Sequence, residues 1–159
     1  MDKRIMWYVA GILVLVVVVG IFWRIHADIA PAQTVEAFFM NGNLDPAVTC
    51  EKVFPVTRTV PATKAVGRAA LNELLKGPTE AERTGGYSST IPFGVHVQSL
   101  TIQNGMARVD FDETLERAVG GACRVTAIRQ QITETLKQFP TVQSVAISID
   151  GRTDDILQP

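Results

Sequence analysis

The period of the apolar positions changes along the chain, and each change marks an element. Ile5 to Trp23, IMWYVAGILVLVVVVGIFW, has no period at all: nineteen successive residues carry no charge. A helix of that length covers roughly 28 Å at about 1.5 Å per residue, close to the hydrocarbon thickness of a bilayer. Trp7, Tyr8 and Trp23 stand at its ends, where amphipathic rings settle at headgroup level. The segment is expected to be a transmembrane helix rather than a cleaved signal peptide, whose apolar region is normally about 7–15 residues. Arg24 and His26 separate it from Ala30-Pro31-Ala32, the one plausible cleavage site, and no lipoprotein-type cysteine follows it. Lys3 and Arg4 before the span, against Arg24 after it, favour a cytoplasmic N-terminus and an external C-terminal part.

After a tether at 24–33 the pattern becomes that of a folded domain. Thr34 to Gly42 is rich in β-branched and aromatic residues and runs into a turn signal, Asn41-Gly42-Asn43-Leu44-Asp45-Pro46. Thr49 to Pro61 reads as a second extended segment, with Pro55 marking an edge or an irregularity. A helix follows: Thr63 is placed to cap it, Gly67, Ala70, Leu71, Leu74 and Leu75 line one face, and Gly77-Pro78 stops it. Gly67 would let that helix approach a neighbour closely. Asn104-Gly105 between two β-rich runs predicts a type I′ hairpin. Val95 and Val97 are out of step with Leu100 and Ile102, so a bulge is expected near Ser99. Val125, Ile128, Ile132, Leu136 and Phe139 form the stripe of a second helix, ended by Pro140. Val145, Ile147 and Ile149 alternate as a half-buried strand, and Arg152 to Pro159 reads as a frayed or edge tail.

This order predicts an α+β fold: a two-layer domain with a mostly antiparallel sheet of about four to five strands and two helices on one face. The boundaries are a cytoplasmic 1–4, a transmembrane 5–23, a tether 24–33, a domain at 34–151 and a tail at 152–159. The net charge of −1 over 159 residues, with no long basic run, gives nucleic acid no footing. The lipid bilayer is the first expected partner, through residues 5–23.

The polar stretch Gly77 to Gly94 raises the question of chemistry, because it carries Ser88 and Ser89. An activated serine needs a base within hydrogen-bonding reach. The histidines are His26, beside the membrane, and His96, on a strand face. Tyr87-Ser88-Ser89-Thr90 is therefore read as a candidate contact loop, and turn formation is the ordinary role of its serines. Asp110, Asp112 and Glu113 crowd a strand end, but their spacing is not that of a calcium loop. Gly120-Gly121 before a helix could hold an anion, or could simply be a turn. Cys50 and Cys123 lack the partners a structural zinc usually needs. Cys123 could be a thiolate at a helix N-terminus, and two separate buried thiols are another reading. An extracytoplasmic location favours a disulfide, which closes a loop of roughly seventy residues and stabilises by about 4 kcal/mol. No catalytic residue, cofactor or metal site is assigned.

Taken together, VFPVTRTVP, a helix ending LNELLKGP, SSTIPFG, VHVQSLTIQNGMARVDF, Gly-Gly before a helix, and TLKQFPTVQSVAISIDG resemble the GerM-type sporulation and spore-germination (GerMN) domain. The similarity runs from about Val35 to Gly151. The resemblance implies an extracytoplasmic module of bacterial envelope proteins, similar to the ring-building modules of envelope-spanning assemblies. It also implies protein–protein contact, with no catalytic residues to carry over. This chain departs from the common pattern in having one copy, a membrane helix in place of a lipid-bearing cysteine, and a cysteine pair. The expectation is a membrane-anchored scaffolding domain that meets other envelope proteins or itself. A module for cell-wall glycan or peptide is the alternative, and a small envelope hydrolase using Ser88 or Ser89 a third.

Overall fold

The computed structural model describes residues 11–20 and 31–158. The chain divides into two compact units, Met1–Ala32 and Gln33–Pro159. In the first, residues 11–20 form a helix (α1) on which Ile12 to Val19 are all exposed. Among the described residues no helix is long and apolar enough to cross a membrane. The span expected at 5–23 lies partly outside the described residues, as does most of the tether.

The second unit runs β1 (Ala32–Asn41), β2 (Phe54–Pro61), α2 (Val66–Leu75), α3 (Glu80–Thr84), β3 (Tyr87–Ser88), β4 (Val97–Gln103), β5 (Met106–Phe111), α4 (Ala122–Lys137) and β6 (Ser144–Ile149). The α+β class holds, but the single sheet does not. There are two three-stranded sheets, ordered β2-β1-β3 and β4-β5-β6. Moreover, β5 and β6 are parallel, in register from Met106↔Ser144 to Phe111↔Ile149. Parallel neighbours need a crossover of a dozen or more residues, and α4 lies in the stretch between them.

Besides pairing with β2 and, at Met40 and Asn41, with β3, the backbone of β1 is met by α4 side chains at Glu36 and Phe38. Glu36 N–H donates to Gln138 Oε1 at 2.8 Å, and Gln138 Nε2 donates back to Glu36 O at 2.7 Å. Phe38 N–H donates to Thr135 Oγ1 at 3.1 Å. The amide of Gln138 thus imitates a peptide unit of a neighbouring strand. Replacing Gln138 with leucine leaves the Glu36 N–H without its acceptor, and is expected to cost about 1–3 kcal/mol. The urea midpoint of unfolding, compared with that of the parent protein, measures it.

The hairpin forms as its sequence requires. Asn104 (φ 50°) and Gly105 (φ 78°) both take the left-handed region, and Gln103 faces Met106. The bulge falls between Val97 and Ser99. Helix α4 buries Val125, Ile128, Ile132 and Leu136 against Phe39, Phe111 and Ile149 in one core. Helix α2 buries Gly67, Ala70, Leu71 and Leu74. A Cβ on Gly67 would sit 3.2 Å from Leu100 Cδ2, the close approach its position predicts. Thr63 does not cap this helix: its hydroxyl accepts from Ala65 N–H, and Ala65 is the N-cap, without a side-chain bond.

Two further expectations are corrected. Only Phe54–Pro61 of the second extended segment is a strand, and residues 42–53 are an excursion between β1 and β2. The tail is not frayed: Ile156 and Leu157 are buried in the main core. Arg129 Nη2 donates to Ile156 O at 3.0 Å, and Leu157 N–H donates to Glu116 Oε1 at 3.2 Å.

Candidate contact loop and its surroundings

Gly77 to Gly94 is more built than a bare connector. Thr79 starts α3 with a capping box: its hydroxyl accepts from Glu82 N–H, and Glu82 Oε2 accepts from Thr79 N–H at 2.8 Å. The chain then pairs with β1 for two residues, Tyr87 with Asn41 and Ser88 with Met40. Beyond that it is tied to α4. Gln131 Nε2 donates to Thr90 Oγ1 at 2.8 Å, and Arg124 Nε donates to Thr90 O at 3.3 Å. Gln131 is fully buried, and its Oε1 has no hydrogen-bond partner among the described residues.

These contacts assign the serines ordinary work. Ser89 Oγ accepts from Ile91 N–H at 3.3 Å, a local turn. Ser88 is an exposed residue of β3. His96 is exposed and turns its Nδ1 to Asp112 Oδ2 at 3.0 Å. That pair resembles the base and orienting acid of a triad, yet no serine hydroxyl is bonded to the imidazole among the described residues.

Asp110 and Asp112 of the acidic cluster have different structural partners. Asp110 Oδ1 accepts from Ser148 Oγ at 2.6 Å and from Gly151 N–H at 2.9 Å, fixing the turn after β6. Asp112 Oδ1 caps the short helix Glu113–Glu116 through Thr114 N–H at 3.2 Å. Burial alone would raise the pKa of Asp112; hydrogen bonds from His96 and Thr114 outweigh it and hold the carboxyl below its ordinary value. Among the described residues no three His, Cys, Asp or Glu side chains gather as a metal site would need.

Gly121 is the N-cap of α4 at φ 85°, a backbone that glycine adopts without strain. Cys123, in the first turn of α4, is bonded to Cys50, with Cα atoms 5.3 Å apart and a sequence separation of 73. The bond fastens the 42–53 excursion to the helix. Inside that excursion Asp45 Oδ2 accepts from Thr49 N–H at 2.8 Å and from its hydroxyl at 2.7 Å. The Thr49 hydroxyl first, then its N–H, lowers the pKa of Asp45.

Sequence reasoning passed over the polar pins of this region, Gln131, Arg124, Gln138 and Arg58. The last joins α3 to the rest: its guanidinium bonds both Glu82 oxygens and lies 5.8 Å from the centre of the Phe39 ring. The signal for α3 was present as Thr79-x-x-Glu82, the capping-box spacing.

The α+β domain of two small sheets is similar in fold to solved GerMN domains. The tandem GerMN domains of the sporulation protein GerM from Bacillus subtilis superpose with a TM-score of 0.60 at 20% identity, covering 77% of this chain and 41% of that one. The first GerMN domain of the same protein gives 0.56 at 22% identity, covering 76% of this chain and 85% of that one. A putative lipoprotein from Clostridium perfringens gives 0.50 at 18% identity, over 79% of each chain. Identities this low establish the fold alone. Residues 37–155 match the family described as Germane, sporulation and spore germination, and the chain belongs to that family. No curated protein matches it in sequence.

Proposed function

We propose that this protein is a membrane-anchored, extracytoplasmic interaction domain that scaffolds an assembly of the bacterial cell envelope and does no chemistry of its own. The observation that carries the reading is the combination of an exposed, wholly apolar helical run, Ile12 to Val19, with a Germane domain in the same chain. An apolar helix exposed all round is suited to lipid. The Cys50–Cys123 bond agrees with an oxidising compartment. Ser88, Ser89, Asp110 and Asp112 are accounted for by pairing, turns and caps, which leaves the hydrolase reading without a nucleophile–base pair. The Tyr87–Thr90 stretch is proposed as one contact surface of the scaffold, held rigid by α4. Cross-linking in intact cells is expected to trap this chain with a protein neighbour or with itself, and a species that stays monomeric at every cross-linker concentration overturns the reading.

A further inference from the structure

Strand β4 is an edge of its sheet, pairing with β5 alone. Natural edges are usually short, covered or guarded by inward charge. Here Val97–Gln103 is long and mostly exposed, and the bulge at Val97/Ser99 is confined to its start. Phe93, just before the strand, is 95% exposed, while Ile102 near its far end is 38% exposed. A phenylalanine so placed covers nothing in the domain, and such a side chain is suited to anchoring a partner.

Two basic side chains without carboxylate partners lie along the same edge. Two hollows of about 440 and 540 Å³ adjoin at Arg68, between α2 and β4. Lys64 and Arg68 line them and make no ion pair among the described residues, whereas Lys76 is bonded to Glu73 and His96 to Asp112. The Arg68 guanidinium instead donates to the Val97 carbonyl at 2.8 Å and the Gln98 carbonyl at 3.0 Å, two neutral acceptors at the strand's start.

Resting on the reading of this domain as an interaction module, we infer that the β4 edge receives an extended, acidic segment of a second protein, added as a further strand. The N–H groups of that segment would take over the Val97 and Gln98 carbonyls. Its carboxylates would then offer the displaced Arg68 a charge-assisted partner, stronger than the neutral bonds it leaves. Phe93 and Ile102 receive its apolar side chains. A second copy of this chain is a poor source, because its own acidic-apolar run, Asp154 to Leu157, has Ile156 and Leu157 buried in the core. A neutral glycan would use neither the Lys64 and Arg68 cations nor the strand edge.

The test uses the full-length chain in neutral detergent and a fluorescent ten-residue Glu-Val repeat. Its controls are a Lys-Val repeat and an acidic repeat with proline at alternate valines, which removes strand donors. The acidic peptide is expected to bind at least about tenfold more tightly than either control and to weaken as salt rises. Arg68→Gln and Phe93→Ala should each weaken it about tenfold. Phe93 is so exposed that its loss should leave the thermal midpoint in place, which separates a lost contact from a lost fold. Equal affinity for the acidic and basic peptides, binding indifferent to both substitutions, or retention on purified cell wall that depends on Phe93 in place of peptide binding overturns the inference. Failure here together with cross-links that survive in cells discards the β4 edge and leaves the scaffold reading standing.

Discussion

Changing Cys50 and Cys123 together to serine is expected to lower the unfolding free energy by about 4 kcal/mol and the thermal midpoint by roughly 10–15 °C. The bond spans 73 residues, so its removal restores a large loop entropy to the unfolded chain. The native side adds a second contribution. Val48 (φ 48°) and Cys50 (φ 64°) both lie in the left-handed region, which a β-branched residue such as Val48 avoids. The excursion that contains them is held by the Cys50 bond and by Asp45, whose Oδ2 accepts from both the N–H and the hydroxyl of Thr49. Once the bond is gone, relaxation of that backbone returns part of the cost. Cys123 is exposed while Cys50 is buried, so a reductant reaches the bond from the helix side. Reduction of the parent protein should therefore reproduce the double variant, by circular dichroism through the melt. A loss under about 1 kcal/mol would mean that the excursion is closed by other contacts.

Elements whose cause is local were legible in the sequence. The hairpin needs two adjacent residues at positive φ, and Asn104-Gly105 supply them at little cost. The stripe of α4 is buried at Val125, Ile128, Ile132 and Leu136, while Phe139, the fifth expected member, lies past the helix end. What the sequence hid was pairing between distant pieces. Period shows which face of β1 is buried, but it says nothing of what else meets its backbone. Here Thr135 and Gln138, two polar residues late in α4, do the work of a neighbouring strand. They read as ordinary helix residues until β1 is placed beside them. The parallel pairing of β5 with β6 was more accessible, since a helix between two strands is the usual crossover. The buried tail also left a sign, the apolar pair Ile156-Leu157 in an otherwise polar stretch.

The candidate site divides the same way. That Ser89 forms a local turn could be read from its polar, Gly-rich setting. That Thr90 is bolted to α4 through Gln131 and Arg124 could not, because those contacts span 41 and 34 residues. A loop held at this density presents a fixed shape, and preorganisation lowers the cost of ordering on binding. This agrees with a surface for recognition and sits less well with a mobile lid.

Arg58→Ala is expected to destabilise the domain by about 3 kcal/mol, because it strands the buried Glu82 carboxylate, while Glu73 keeps Lys76. Arg58, Glu82 and Glu73 have side chains only 13%, 17% and 14% exposed. The guanidinium donates from Nη2 to Glu82 Oε2 at 2.6 Å, and its Nε lies 3.9 Å from Glu73 Oε2. Glu82 is also the reciprocal partner of the α3 capping box, so one side chain joins β2, α3 and the approach to β3. The hydrogen bonds from Arg58, more than the N–H of Thr79, hold the Glu82 carboxyl below its ordinary value of 4.5. A depressed native pKa contributes stability that is present above that ordinary value and is lost as pH falls through the native one. Unfolding free energies in urea should therefore decline on the acid side of about pH 4.5 in the parent protein. In Arg58→Ala that part of the decline should flatten or reverse, since protonation then relieves an unpaired charge. Arg58→Met combined with Glu82→Gln should recover much of the loss, because a neutral pair carries no stranded charge. An alanine variant within about 1 kcal/mol of the parent at neutral pH, with an unchanged acid slope, would remove Arg58 from the set of residues that fix α3 in place.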